Sequence, residues 1–292
     1  MTQDCSWDGL DKAVDFFKLL SKDLETVYEA REAANIATFV FEDVFGIHQP
    51  VDIHQQLSEA NQELFGTIHQ RLMAGEPWQY VVGEADFYGL KFTVDKGVLI
   101  PRPETEELVH LIIKKHKKQV APLSILDIGT GSGCIAITLQ KSLSQASTTA
   151  VDLSVDALTV AKSNALKHDI PLQVEQINIL DEESTKKMPQ YHVIVSNPPY
   201  IKETEEHLMP HHVLAHEPTM ALFVTNNDPL QFYNSIANFA CQHLEASGCL
   251  YFEINEHYGQ EVLELLETKG FVDCHLEQDI FGRDRIVWGR MV

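Results

Sequence analysis

The sequence predicts an α/β protein: a mostly parallel sheet with helices on both faces, preceded by a small all-helical region and a β-hairpin connector. Three observations carry this reading. Through the first 75 residues apolar side chains recur at helical spacing; from Ser124 onward short apolar runs alternate with helical stretches; and a glycine-rich turn joins the first of those runs to the helix after it. Alternation of strand and helix implies parallel strands with helical crossovers.

In the N-terminal region Leu10, Ala13, Val14, Phe17 and Leu20 form one expected helical stripe, and Val27, Ala30, Ala34 and Ile36 a second. Gly46 and Pro50 punctuate the end of the second helix. Leu57, Ala60, Leu64, Ile68 and Leu72 mark a third helix that stops at Gly75 and Pro77. The expected boundaries are residues 1–84 for this bundle, 85–100 for a hairpin around Gly89 and Asp95-Lys96-Gly97, and 101–292 for the sheet domain. PRPETEEL (101–108) opens a helix with Thr105 as its expected cap and acids in its first turn. Strands are expected at 125–128, 148–153, 172–179, 192–196 and 249–254, then at FVDCHLEQ and RIVWGR, which form a closing hairpin across a short Asp279–Asp284 turn.

Composition narrows the class. The 292 residues carry 44% apolar content, enough for a large core. The 43 acids against 22 basic residues give a formal charge of −21, a field that repels nucleic-acid phosphates. Direct nucleic-acid binding is therefore not expected. Five dispersed cysteines without a C-x-x-C pair fit a reducing cytoplasmic compartment. MTQDCSWDGL lacks the basic and apolar regions of a secretory leader, and no run approaches a membrane span. A monomer is expected.

LDIGTGSGCIAI sets Gly129, Gly131 and Gly133 between a strand and a helix. Glycines there permit a tight turn and let a ligand approach the backbone. The spacing is G-x-G-x-G, not the G-x-G-x-x-G of dinucleotide binders, so a pyrophosphate is not the expected guest. The next strand ends in Asp152, an acid placed to accept both hydroxyls of a ribose; the plainer alternative is a helix cap. Glycine loop, strand-end acid and missing phosphate signature together point to S-adenosylmethionine, with S-adenosylhomocysteine as product. The expected cofactor contacts are Asp127, Gly129, Thr130, Gly131, Ser132, Gly133, Asp152, Ile179 and Asn197. Asp127 either orients the loop or meets the ligand's ammonium.

At the end of the fourth strand stands NPPY, residues 197–200. Prolines end strands for simple steric reasons, but this pair does more. Both φ angles are fixed and the residue before each proline is pushed to an extended form. A stiff backbone then presents two acceptors, the Asn197 side-chain oxygen and the Pro198 carbonyl, followed by the ring of Tyr200. Two acceptors and a ring suit a flat group bearing NH2. Asn197, Pro198 and Tyr200 are the expected catalytic residues, and Asn197, Pro198, Pro199 and Tyr200 the expected substrate contacts. An amide nitrogen is a poor nucleophile, so fixing both N–H bonds supplies orientation and favours positive charge growing on nitrogen. No metal and no dedicated general base is expected; HLMPHHVLAH (207–216) is read as a substrate-side loop.

These motifs, in this order, resemble the release factor glutamine methyltransferases, the HemK/PrmC family. Arg31-Glu32-Ala33 resembles its early helix signature, and Arg71, Gly75-Glu76-Pro77, Tyr80 and Gly83 its connector. Ile100 to Glu107 matches I-P-R-P-x-T-E; Glu217-Pro218, Ala221-Leu222 and Phe232-Tyr233 match the segment after NPPY; Asp279, Gly282, Arg285 and Gly289-Arg290 match the closing hairpin. The resemblance implies a seven-stranded, Rossmann-like class I S-adenosylmethionine-dependent methyltransferase domain behind a helical docking domain. It implies a protein-(glutamine-N5) methyltransferase acting on the Gly-Gly-Gln motif of peptide chain release factors. Two places depart from the pattern: Asn178-Ile179 stands where an acid is usual, and Glu253-Ile254-Asn255 where E-x-G is usual. The neighbouring readings are a ribosomal-protein glutamine methyltransferase, which PRPETE disfavours, and an adenine-N6 DNA or guanine-N2 RNA enzyme, which the acidic charge disfavours.

Overall fold

The computed structural model describes residues 10–48, 52–209, 211–226 and 228–292. The chain divides into two compact units: Met1–Gly83 with His211–His216, and Glu84–Pro210 with Glu217–Val292.

In the first unit, helices α1 (Ala13–Leu24), α2 (Ala30–Phe45), α3 (Glu59–Met73) and the short α4 (Trp78–Val82) enclose one apolar core. Ser58 caps α3 by accepting the Asn61 N–H, and Gly46 ends α2 in the left-handed conformation. Pro50, expected to help close that helix, lies outside the described residues. The buried faces differ from the expected stripes. Phe16 and Leu24 join Ala13 and Leu20 in the core while Phe17 is half-buried; on α2 the core takes Ala33, Ile36, Ala37, Val40 and Phe41, leaving Val27 and Ala30 exposed. On α3, Phe65 is buried and Leu64 exposed. These helices carry enough apolar residues for either of two adjacent stripes. The choice falls to the aromatic that meets aromatics from other helices: Phe65 packs edge-on against Phe16 and Phe41, with centroids 4.9 and 6.3 Å apart. Helix α4 was not expected. Arg71 holds it, donating to the Tyr80 and Val81 carbonyls and pairing with Glu76 at 2.6 Å.

The second unit opens with a hairpin, β1 (Glu84–Phe87) and β2 (Leu90–Thr93), turned by Tyr88 and Gly89, both at positive φ. Phe87 and Phe92 are buried in the core of this unit, so the expected connector is part of the sheet domain's packing. Helix α5 (Pro103–His116) begins with proline in its first turn, where a missing N–H loses no helical bond. Then follow β3 (Leu123–Ile128), α6 (Cys134–Ser142), β4 (Ala146–Asp152), α7 (Val155–Lys167), β5 (Gln173–Gln176), α8 (Glu182–Thr185) and β6 (Tyr191–Ser196). The chain continues through β7 (Ile201–Lys202), β8 (Phe223–Val224), α10 (Gln231–His243), β9 (Leu244–Glu253), α11 (Gly259–Thr268), β10 (Val272–Gln278) and β11 (Asp284–Arg290), with α9 (His211–His216) counted in the first unit.

Seven strands form one sheet in the order β10-β11-β9-β6-β3-β4-β5; β11 runs antiparallel to both neighbours and the other pairings are parallel. Alternate residues serve two cores: Ile125, Val193 and Val195 face α5 and α6, while Leu126, Ile128 and Ile194 face α10 and α11. Every expected strand is present, though β5 is shorter than its apolar run, because Asn178 turns the chain by accepting the Leu180 N–H. The two-residue β7 and β8 pair only with each other and were too short to read from pattern. From β3 the chain winds outward to β4 and β5, then returns to the other side of β3 as β6. The carboxyl ends of β3 and β6 therefore border the crevice where open α/β sheets take ligands.

Candidate functional site

Two loops meet at that crevice. The first follows β3. Gly129 and Thr130 N–H both donate to the Val151 carbonyl, at 2.9 and 3.0 Å, which folds the loop back over β4. Beneath it Asp127 is fully buried, with one oxygen accepting the Thr130 hydroxyl at 2.7 Å and the Ala136 N–H at 3.2 Å. Its other oxygen, Oδ1, has no hydrogen-bond partner in the structure. Burial pushes this carboxyl up to about 7 against the pull of those two donors. Asp152 accepts the Gly131 N–H at 3.0 Å on one oxygen and the Ser154 N–H at 2.9 Å on the other. Burial raises its pKa too, opposed by the Ser154 and Gly131 bonds. The cap itself comes from Ser154, which accepts the Ala157 N–H at the start of α7, so Asp152 braces both the glycine loop and the capping residue. Gly133 must be glycine: its φ is +81°, and a Cβ would sit 3.1 Å from Ile137 and 3.3 Å from Ala161.

A cavity opens in front of this loop, lined by Gly129, Gly131, Asp152, Ile177, Ile179 and Asn197 among others. Asp127, Thr130, Ser132 and Gly133 are not on its wall. They sit behind it, where Asp127 holds the loop through its bonds to Thr130 and Ala136. Sequence reasoning missed Asn164, which is buried on α7 and donates to the Ser132 carbonyl while bonding both backbone groups of Thr93. An asparagine inside the apolar stripe of α7 was the available signal.

The second loop follows β6, anchored where the Ser196 hydroxyl donates to the Ile128 carbonyl at 2.7 Å. Asn197, Pro198 and Pro199 line the first cavity and also a second one, whose wall includes Arg102, Tyr200, Glu253 and Arg285. With Leu99 and Ala221, which also lie on both walls, these three residues form a partition between two chambers. Asn197 Nδ2 donates to Thr105 Oγ1 at 3.2 Å, and the Thr105 hydroxyl donates to Glu253 Oε2 at 2.6 Å. Thr105 is therefore not the helix cap it was expected to be; Arg102 holds the N-cap position, and the threonine is turned inward from the first turn of α5. Glu253 is buried and its carboxyl is raised to about 7, burial outweighing the Thr105 bond and the charge of Arg285. Burial likewise drives the Tyr200 phenol well above its ordinary range. Arg102 Nη2 donates to both oxygens of the nearly inaccessible Glu217 at 2.6 and 2.7 Å, a charge-assisted contact that ties the segment before α5 to the chain beyond NPPY. At the closing hairpin Arg285 pairs with Asp279 at 3.3 Å. His207 bonds the Thr204 carbonyl, and no metal-binding cluster occurs among the described residues. No helix of the described residues is long and apolar enough to cross a membrane.

Comparison with known proteins fits this geometry. A methyltransferase small domain matches residues 105–223, a span that includes both loops. A release factor glutamine methyltransferase of Flavobacterium psychrophilum is 46% identical over 76% of this chain and 78% of its own, and one of Bacteroides thetaiotaomicron is 40% identical over 92% and 96%. The chain belongs to the release factor glutamine methyltransferase family. Among solved structures, a methyltransferase from Pyrococcus furiosus aligns with a TM-score of 0.52 over 80% of this chain and 98% of its own, at 14% identity. A human methyltransferase 10 domain containing protein gives 0.51 over 70% and 90%, at 17% identity. At those identities the likeness is one of fold. A class I methyltransferase sheet is what both the family and these neighbours share with the expected architecture.

Proposed function

We propose that this family member transfers a methyl group from S-adenosylmethionine to the side-chain amide nitrogen of the glutamine in the Gly-Gly-Gln motif of peptide chain release factors. The observation that carries the reading is the partition: Asn197, Pro198 and Pro199 border both chambers, so a donor on one side and an amide on the other meet across the same three residues.

The residues of the first chamber fit the cofactor. Space opens where Gly129 and Gly131 lack side chains. Each Asp152 oxygen accepts one backbone N–H and retains a lone pair for a ribose hydroxyl. Ile177 and Ile179 offer an apolar wall for a base. Once bound, S-adenosylmethionine supplies an activated methyl on a sulfonium centre.

The protein's own task is orientation. The Asn197 side-chain oxygen and the Pro198 carbonyl accept the two N–H bonds of the amide, while Tyr200 packs beside its plane. This holds the nitrogen's face toward the partition at no entropic cost during reaction. It also stabilises the positive charge that grows on nitrogen as its lone pair is withdrawn from the carbonyl. After transfer the methylated nitrogen is strongly acidic and gives its proton to solvent. The charge of −21 suits a basic protein partner.

Purified protein incubated with labelled cofactor and a release factor should place label on the Gly-Gly-Gln peptide. Label on a ribosomal protein alone, or on DNA alone, would reject this reading in favour of one of its neighbours.

A further inference from the structure

The bond chain Glu253–Thr105–Asn197 does more than fill the floor of the second chamber. A threonine hydroxyl has one proton, and here it goes to Glu253 at 2.6 Å. Its oxygen can then only accept, so the Asn197 group facing it at 3.2 Å must be Nδ2. The carboxamide is thereby locked with Oδ1 turned away from Thr105. We infer that Thr105 and Glu253 are positioning residues that fix which end of the Asn197 carboxamide faces the substrate amide. This rests on the assignment of Asn197 as the amide acceptor.

The polarity of the chain depends on Glu253 being an acceptor. Once protonated, Glu253 can donate to Thr105, whose own hydroxyl is then free to donate to Asn197. The carboxamide can turn, presenting an NH2 to an NH2. Burial sets this titration near 7. Thr105 and Glu104 face Glu253 from α5, Arg285 from β11, Tyr233 from α10 and Cys134 from α6, with Asn197 and Tyr200 from the loop after β6. Of these, the Thr105 bond, the charge of Arg285 and the Asn197 side chain favour the charged form, and Glu104 opposes it.

Three variants test the inference, with kcat and KM for the release factor and Kd for the cofactor measured on each. Thr105→Val keeps shape but removes the hydroxyl. It should lower kcat by about 10- to 100-fold, the range of one hydrogen bond to a charged partner, with cofactor Kd unchanged. Thr105→Ser should recover most of that loss. At saturating cofactor, wild-type kcat should fall as pH drops below about 7, and Glu253→Gln, which cannot titrate, should lose that acid limb. Wild-type kcat in Thr105→Val, or an unchanged acid limb in Glu253→Gln, would overturn the positioning roles. If Thr105→Val loses thermal stability as well, the Glu253→Gln pH profile decides alone. Asn197→Ala separates this inference from the reading beneath it. Full activity there would remove Asn197 from the reaction altogether, whereas an inactive Asn197→Ala beside a fully active Thr105→Val rejects only the locking chain.

Discussion

The chamber beside the glycine loop is shaped chiefly by bonds between nearer neighbours in sequence, Asp127 to Thr130 and Ala136 across three and nine positions and Asp152 to Gly131 across 21, with Asn164 tying Ser132 to the more distant Thr93. The chamber beyond Asn197 is held by bonds across 92, 115 and 148 positions, from Asn197 to Thr105, Arg102 to Glu217 and Thr105 to Glu253. One centres on a local strand–turn–helix whose glycines and acids lie close in sequence. The other exists only when α5, β6, β9 and the segment around Glu217 have assembled. The two should therefore fail differently: damage to the first weakens a binding equilibrium, and damage to the second removes turnover or unsettles the fold.

Asn197→Ala should produce the largest effect. A fall in kcat of about 100- to 1,000-fold is expected, comparable to losing one preorganised polar contact at a reacting centre, with cofactor affinity nearly unchanged. Equal losses in kcat and cofactor affinity by titration would erase the division between chambers. Arg102→Met comes next. It leaves Glu217, almost wholly inaccessible, as an uncompensated buried charge, and breaking such pairs costs about 3–5 kcal/mol; part of the guanidinium is exposed, so the low end applies. Thermal unfolding should register this as a clear drop in Tm, and an unchanged Tm would mean the long-range tie is dispensable. Asp152→Ala should weaken cofactor binding by about 1–3 kcal/mol with the fold intact. Unchanged affinity by calorimetry would remove Asp152 from the ribose.

One further effect, read as a slope against pH and not as a single loss, is shared by both chambers. Asp127 and Glu253 each have folded-state pKa values raised to about 7 from 3.8 and 4.5. A raised carboxyl contributes stability at acid pH that is lost as pH climbs through its folded value. The ligand-free protein should therefore lose Tm between about pH 4 and 7 and level off above that, and Asp127→Asn or Glu253→Gln should each flatten that slope. A slope indifferent to both substitutions would show that other groups set it.

How much was legible in the sequence follows the same divide. The glycine loop, Asp152 and all seven strands could be read because their signals are contiguous, and both cores confirm the alternation that β3 and β6 carry. Thr105 was misjudged because, seen locally, a threonine beside acids at a helix start looks like a cap. Only the distant Glu253 gives its hydroxyl another partner. Glu217 and Arg102 looked like family landmarks with no stated task for the same reason. In the bundle, the spacing in α2 was right but its face was not, since packing against Phe41 and Phe65 chose between stripes that periodicity leaves equal. Helix α4 and the β7–β8 pair are too short for any period to register.

The commitment of Asn197 Nδ2 to Thr105 has one last implication. With one of its N–H bonds engaged there, the side chain turns its oxygen to the guest in the proposed reaction, and an oxygen grips hydrogen. A glutamine arrives with two hydrogens on its nitrogen and departs with one, the other exchanged for carbon. In the proposed reaction the modified residue has lost one of the two hydrogens those acceptors hold, so one methyl per glutamine is the product expected by mass spectrometry. On that reading the corner that aims the first methyl also sets the count at one.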